Sequence, residues 1–271
     1  MAGHSKIRVT LVVSVLALLA VTAGALAATR STTTAVPPGT QKHATVECPS
    51  GTQVKSFGYE GKFDPTGATE RELPTALTRP RASKVIAGAA NVGAVAGSFR
   101  TLASCGTVPA LGTVKAREPI ANATQKSVVA KCPRGTSVRL GGFTATVGSD
   151  KFVAINGLER ESARHLKVSA LNTGVSPGRL GAYAYCAHGS PSVHTVTKTV
   201  HLANEQERTA VATCPQGQKL LMGGLEVQHY EVGPGDVSVV GMKPAGRRGW
   251  AVTGQKIQPT LGHLTSIAYC H

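Results

Sequence analysis

One phrase occurs three times in this chain and governs every reading of it. ATVECPSGTQV (44–54), VVAKCPRGTSV (128–138) and AVATCPQGQKL (210–220) share a Cys-Pro-x-Gly centre. A further Gly follows each opening Cys at the same offset: Gly58, Gly142 and Gly224. Each copy closes on a second phrase: SFRTLASC (98–105), RLGAYAYC (179–186) and HLTSIAYC (263–270). Length differences fall between the phrases, where loops on a shared scaffold vary. Only short Gly- and Pro-containing joins separate the copies, which favours packed neighbours over free beads.

The repeating unit reads as β. Val138 and Leu140 alternate with Ser137 and Arg139, then meet Gly141-Gly142. Val85, Leu166 and Trp250 share one column, and small or apolar residues recur two and four places on. That period of two marks a half-buried strand. Asn91-Val92-Gly93 and Asn172-Thr173-Gly174 read as turns. VHTVTKTVHL (193–202) is β-branched and reads as an entry strand. Turn spacing gives about five strands per copy. Charged residues are 16% of the chain and no window carries a helical stripe, which excludes a helical bundle. The fold class is therefore all-β: three tandem repeats of about 80 residues, arranged as a three-sided β-prism or as abutting small β-sandwiches.

The N-terminus reads as an export signal over 1–27. Lys6 and Arg8 precede an apolar run, and Ala25-Leu26-Ala27 is an A-x-A cleavage pattern. No later segment is long and apolar enough to span a membrane as a helix. Residues 28–41, rich in Thr and ending near Pro37-Pro38-Gly39, read as a flexible tether. The repeats then occupy 42–105, 106–186 and 187–271, the last two with entry strands. An even count of 6 Cys in an exported chain implies a disulfide framework. Repeat logic pairs Cys48 with Cys105, Cys132 with Cys186 and Cys214 with Cys270. A rival scheme joins neighbouring copies through Cys105–Cys132 and Cys186–Cys214. Each within-copy bridge would close a loop of about 55 residues, worth roughly 4 kcal/mol.

Catalytic patterns are sparse. Gly174-Val175-Ser176-Pro177-Gly178 matches a nucleophile elbow, but an elbow needs a following helix and Pro177-Gly178 opposes one. The Gly dyads lack the helix or Lys-Ser/Thr pair of a phosphate cradle and read as bulges or close crossings. His188, His194 and His201 are too far apart along a strand for one ion, so no metal and no cofactor are expected. Asn122-Ala123-Thr124 is a glycosylation sequon by pattern. The reading is non-enzymatic.

Charge carries the functional lead. The chain has 29 Lys+Arg against 14 Asp+Glu. Equivalent loops are basic in all three copies: Arg79, Arg81 and Lys84; Arg160, Arg164 and His165; Lys243, Arg247 and Arg248. Loops related by a common axis would present a multivalent cationic surface to an anionic polysaccharide or cell-wall polymer. One Trp and 5 Tyr supply few stacking platforms, which argues against single-stranded nucleic acid. A secreted, inert structural coat or matrix protein is the alternative reading.

The phrases themselves add a resemblance. Cys-Pro-x-Gly, a later Gly-Gly, an alternating strand and an Ala-Tyr before the closing Cys resemble a repeat of exported bacterial proteins. That resemblance spans 42–271 and implies export and β structure without supplying an activity. Cys132 to Cys186 is the best copy. The first departs at Phe57 and at Ala103-Ser104, and the third has Lys256 in place of the turn Asn. The threefold arrangement is also similar to the fold of the vitelline membrane outer-layer protein.

Overall fold

Among the described residues each copy forms six strands, one more than its turn signals indicate. The computed structural model describes residues 28–62, 72–148, 150, 152–203, 206–229, 237–256 and 262–271. The export signal expected over 1–27 lies outside the described residues. Repeat 1 contains β1 (Ala28–Val36), β2 (Gln41–Glu47), β3 (Gln53–Lys62), β4 (Glu72–Arg81), β5 (Lys84–Asn91) and β6 (Gly97–Gly106). Repeat 2 contains β7 (Gly112–Ile120), β8 (Gln125–Lys131), β9 (Thr136–Ala145), β10 (Val153–Arg160), β11 (His165–Asn172) and β12 (Gly178–His188). Repeat 3 contains β13 (His194–Leu202), β14 (Glu207–Thr213), β15 (Leu220–His229), β16 (Val237–Ala245), β17 (Gly249–Lys256) and β18 (Gly262–Cys270).

The extra strand in repeat 1 is the segment read as a tether. Ala28–Val36 is β1, paired antiparallel with β6 along its whole length, from Ala28↔Cys105 to Val36↔Gly97. The segment is a strand and not a tether, because its run of Thr suits an exposed edge strand as well as a linker. Its counterparts β7 and β13 are also largely exposed edge strands, in the same position.

Prism and sandwich prove to be two descriptions of one body. Three six-stranded sheets run β1-β6-β3-β16-β17-β14, β2-β5-β4-β9-β12-β7 and β13-β18-β15-β10-β11-β8. Each repeat is a sandwich whose first, third and sixth strands lie in one sheet and whose second, fourth and fifth lie in the next. The third strand of each repeat pairs with the fourth strand of a neighbour: β3 with β16, β9 with β4 and β15 with β10. Equivalent residues meet at the three seams, Tyr59↔Met242, Phe143↔Leu77 and Leu225↔Leu158. Three such seams close a ring, so no repeat has a free third or fourth strand.

The two glycines of the dyad do different work at these seams. A Cβ on Gly58, Gly142 or Gly224 would lie 2.2, 2.3 or 2.3 Å from the carbonyl oxygen of Met242, Leu77 or Leu158. The backbones approach so closely that only Gly fits, in all three copies. The preceding column faces side chains instead of backbone. A Cβ on Gly223 would fall 1.7 Å from the Trp250 ring, and one on Gly141 would fall 2.7 Å from Leu166 Cδ1. Copy 1 reverses the sizes, with Phe57 in the Gly column and Val85 in the Trp250 column. Phe57 then meets Tyr185 edge-on at 5.9 Å between centroids. Large and small exchange across facing columns, and a cavity of only about 20 Å³ remains between them. The dyads are packing devices.

A second exchange spans the seams. The buried hydroxyl of Tyr185 accepts a hydrogen bond from the backbone N–H of Arg79, and that of Tyr269 accepts one from Arg160 N–H at 2.8 Å. The third seam places Ser104 in the Tyr column and Pro244 in the Arg column. Proline has no N–H to satisfy, so the hydroxyl is dispensable there. Tyr185→Phe and Tyr269→Phe each take the acceptor from a seam amide, buried at Arg79 and part-buried at Arg160, and are expected to lower stability by about 1–3 kcal/mol in urea titrations. Burial, opposed by the Arg160 hydrogen bond, pushes the Tyr269 phenol up to about 12. The unfolded phenol ionises near 10. Stability therefore falls between about pH 10 and 12, and Tyr269→Phe should flatten that fall.

The bridges follow the repeat logic. Cys48–Cys105, Cys132–Cys186 and Cys214–Cys270 are formed, and there is no free cysteine. Each links a residue following the second strand to one in the closing strand, so each ties two sheets together. The buried Asn91 and Asn172 act as turn anchors. Each side-chain amide donates to carbonyls of its own loop and of the entry-strand end, and each side-chain oxygen accepts from the Gly two residues on.

Candidate functional site

The sheets give the molecule two unlike ends. The hairpins β4–β5, β10–β11 and β16–β17 all turn at the end where the disulfides lie. Cys48 N–H donates to Ser83 O at 2.8 Å, Cys132 N–H to Arg164 O at 2.8 Å and Cys214 N–H to Arg248 O at 2.9 Å. One hairpin comes from each sheet, so the three stand around the pseudo-threefold axis. The Cys-Pro-x-Gly turns cap the same end. Their Gly51, Gly135 and Gly217 have φ of 79°, 77° and 85°, a left-handed conformation that Gly adopts without strain.

The nine predicted basic residues divide into three groups at this end. Arg81, Arg247 and Arg248 are exposed on the hairpin tips. Lys84, Arg164, His165 and Lys243 are half-buried. Lys84 pairs with Glu47 at 3.4 Å, Arg164 Nε donates to Cys132 O at 3.0 Å, and Lys243 is bound to Glu60. Arg79 and Arg160 turn inward at the seams. Arg79 is 3% exposed, with Nε donating to Ala82 O and Nη2 to Gln53 Oε1, both at 3.2 Å. Its guanidinium is a structural tie and does not belong to the exposed rim. Burial lowers the pKa of Arg79 and of Arg160 from the usual range.

Further cations at this end escaped the sequence reading. Arg134 is exposed on the second Cys-Pro-x-Gly turn. Lys55 and Arg139 occupy equivalent β-bulges, where the third strand skips one residue against the closing strand. The bulge column reads Lys55, Arg139 and Leu221. That column was visible in the alignment of copies, but strand alternation assigned Arg139 to an ordinary solvent-facing position. Lys219 and His271 exchange main-chain hydrogen bonds at 2.9 and 3.0 Å beside the same end.

Other sequence candidates resolve simply. Residues 173–177 form the β11–β12 loop; Val175 is 80% exposed, Ser176 N–H donates to Asp150 O, and strand β12 follows. His201 and His263 stack edge-on at 4.2 Å across β13 and β18, apart from His188 and His194. No group of three metal-ligating side chains occurs among the described residues. Asn122 is exposed at the β7–β8 turn. No protein-family model matches the chain, and no curated protein is detectably similar to it.

Proposed function

We propose that this protein is an exported, non-enzymatic binder whose disulfide end holds an anionic polymer of the cell envelope. The observation that carries the reading is the convergence of two basic hairpins, β4–β5 and β16–β17, and the basic turn at Arg134 on one end of a closed ring. Arg81, Arg134, Arg247 and Arg248 form an exposed cationic rim there. A multivalent rim suits a repeating anionic ligand, because several weak charge contacts act together once the first has formed. Three buried disulfides indicate an oxidising compartment. The resemblance to repeats of exported bacterial proteins supports the same location.

The test is retention on isolated cell envelopes and on an immobilised acidic polysaccharide, as a function of salt. Binding is expected to weaken steeply with ionic strength. Reversing Arg81, Arg134, Arg247 and Arg248 to Glu should reduce it by about tenfold or more. Retention unchanged in that variant, with an unchanged urea midpoint, would remove the reading.

A further inference from the structure

Inside the rim, a second and separate set of cations gathers where the three repeats meet. Lys55 comes from repeat 1, Arg139 and Arg160 from repeat 2, and Lys219 and His271 from repeat 3. The two bulges push Lys55 and Arg139 out of the ladder beside their closing cysteines. Arg139 acts electrostatically on both Arg160 and His271, and His271 also feels Lys219 and Lys55. The main chain of His271 is fixed against Lys219 on both sides.

No side-chain carboxylate among the described residues pairs with this cluster. Among the described residues, none of the five makes an ion pair. Glu159 and Glu226 act on Tyr269, and Glu159 is committed to Lys167 at 3.2 Å. Arg139 Nη2 donates to His188 O at 3.0 Å, and Arg160 Nη2 reaches Ala163 O at 3.5 Å. The Nε donors of both arginines are buried and have no partner. Unsatisfied buried donors are rare in folded proteins, and two from neighbouring guanidinium groups within one cationic cluster call for an acceptor.

We propose that Lys55, Arg139, Arg160, Lys219 and His271 form a discrete site at the axial end for a multiply charged tetrahedral oxyanion of the phosphate class. Donors that reach it from three repeats match an anion with oxygens in several directions better than a flat carboxylate. The site does not use the rim residues, so it stands or falls apart from the polymer reading. Where the polymer carries phosphate groups, the rim would hold the chain and the axial site one group of it.

The experiment titrates the whole protein with inorganic phosphate, sulfate and acetate at matched ionic strength, by calorimetry and by NMR of the His271 imidazole. Burial and the neighbouring cations hold His271 below its usual pKa. Bound phosphate should raise it, because an anion favours the charged imidazole. Phosphate is expected to bind at least about tenfold more tightly than acetate. Lys55→Gln with Lys219→Gln, both exposed positions, should weaken phosphate at least about tenfold and leave the urea midpoint unchanged. Charge reversal of the four rim arginines should leave phosphate affinity in place. Equal responses to phosphate and acetate, or undiminished phosphate binding in the Lys55/Lys219 variant, would overturn the site. Sulfate binding as tightly as phosphate would assign it to tetrahedral dianions in general, within the proposal.

Discussion

Gly142→Ala is expected to destabilise the protein by about 3 kcal/mol or more. The added Cβ would stand 2.3 Å from Leu77 O and 3.4 Å from Leu77 C. Those are backbone atoms held in the β9–β4 seam, so no rotamer change relieves the clash. The strands must part, which also strains Leu77↔Phe143 and the Tyr185 bond to Arg79 N–H. The neighbouring Gly141→Ala meets Leu166 Cδ1 at 2.7 Å and Met222 Cε at 3.1 Å. These are the far ends of flexible side chains, so its cost should be smaller. Gly148→Ala, with nothing within 4 Å, should fall within about 0.5 kcal/mol of the parent. Urea midpoints of the three variants rank the effects. A Gly142→Ala midpoint equal to that of Gly148→Ala would show that the seams have slack and that the ring is not closed as described.

The same contrast explains what the sequence made legible. Gly58, Gly142 and Gly224 recur because the neighbouring backbone forbids any side chain, and such a demand leaves the same letter in every copy. Phe57 breaks the adjacent column because only side chains face it, and Val85 compensates. The repeat therefore announced strands, bridges and glycine crossings, each set by local chemistry that a column can record. The sheet partners were not legible. Which strand lies beside β9 is decided by β4, from another repeat, and no spacing within repeat 2 encodes it.

The candidate site divides in the same way. Exposed Arg81, Arg247 and Arg248 were readable because hairpin tips carry charge where solvent allows it. The fate of Arg79 was not readable. Its inward turn depends on Gln53 of its own repeat and Tyr185 of the next. Lys55 and Arg139 were not legible because a bulge shifts the alternation by one residue at each of them. Pro244 and Ser104 carried the seam chemistry openly, but 140 positions apart and in different copies, where only the fold joins them.

Removing one bridge, by Cys132→Ala with Cys186→Ala, is expected to lower stability by about 4 kcal/mol, the cost of reopening a loop of this size in the unfolded chain. The loops 48–105, 132–186 and 214–270 do not overlap, so their constraints on the unfolded chain are independent. A second pair of substitutions should add a similar loss. All three together approach the whole stability of a typical domain, so the fully reduced protein should not fold. The bridges differ from ordinary staples in what they join. Cys48–Cys105 links the first and second sheets, Cys132–Cys186 the second and third, and Cys214–Cys270 the third and first. A covalent belt thus surrounds the end that carries the cations, and it holds their mutual repulsion within a fixed ring. The six cysteine residues are 0–8% exposed, so reductant alone should spare the bridges until urea opens the sheets. Urea midpoints of single- and double-bridge variants, with thiol trapping along the titration, measure both effects. Reduced protein that keeps the oxidised midpoint would show that the seams alone hold the ring and that the belt contributes nothing to it.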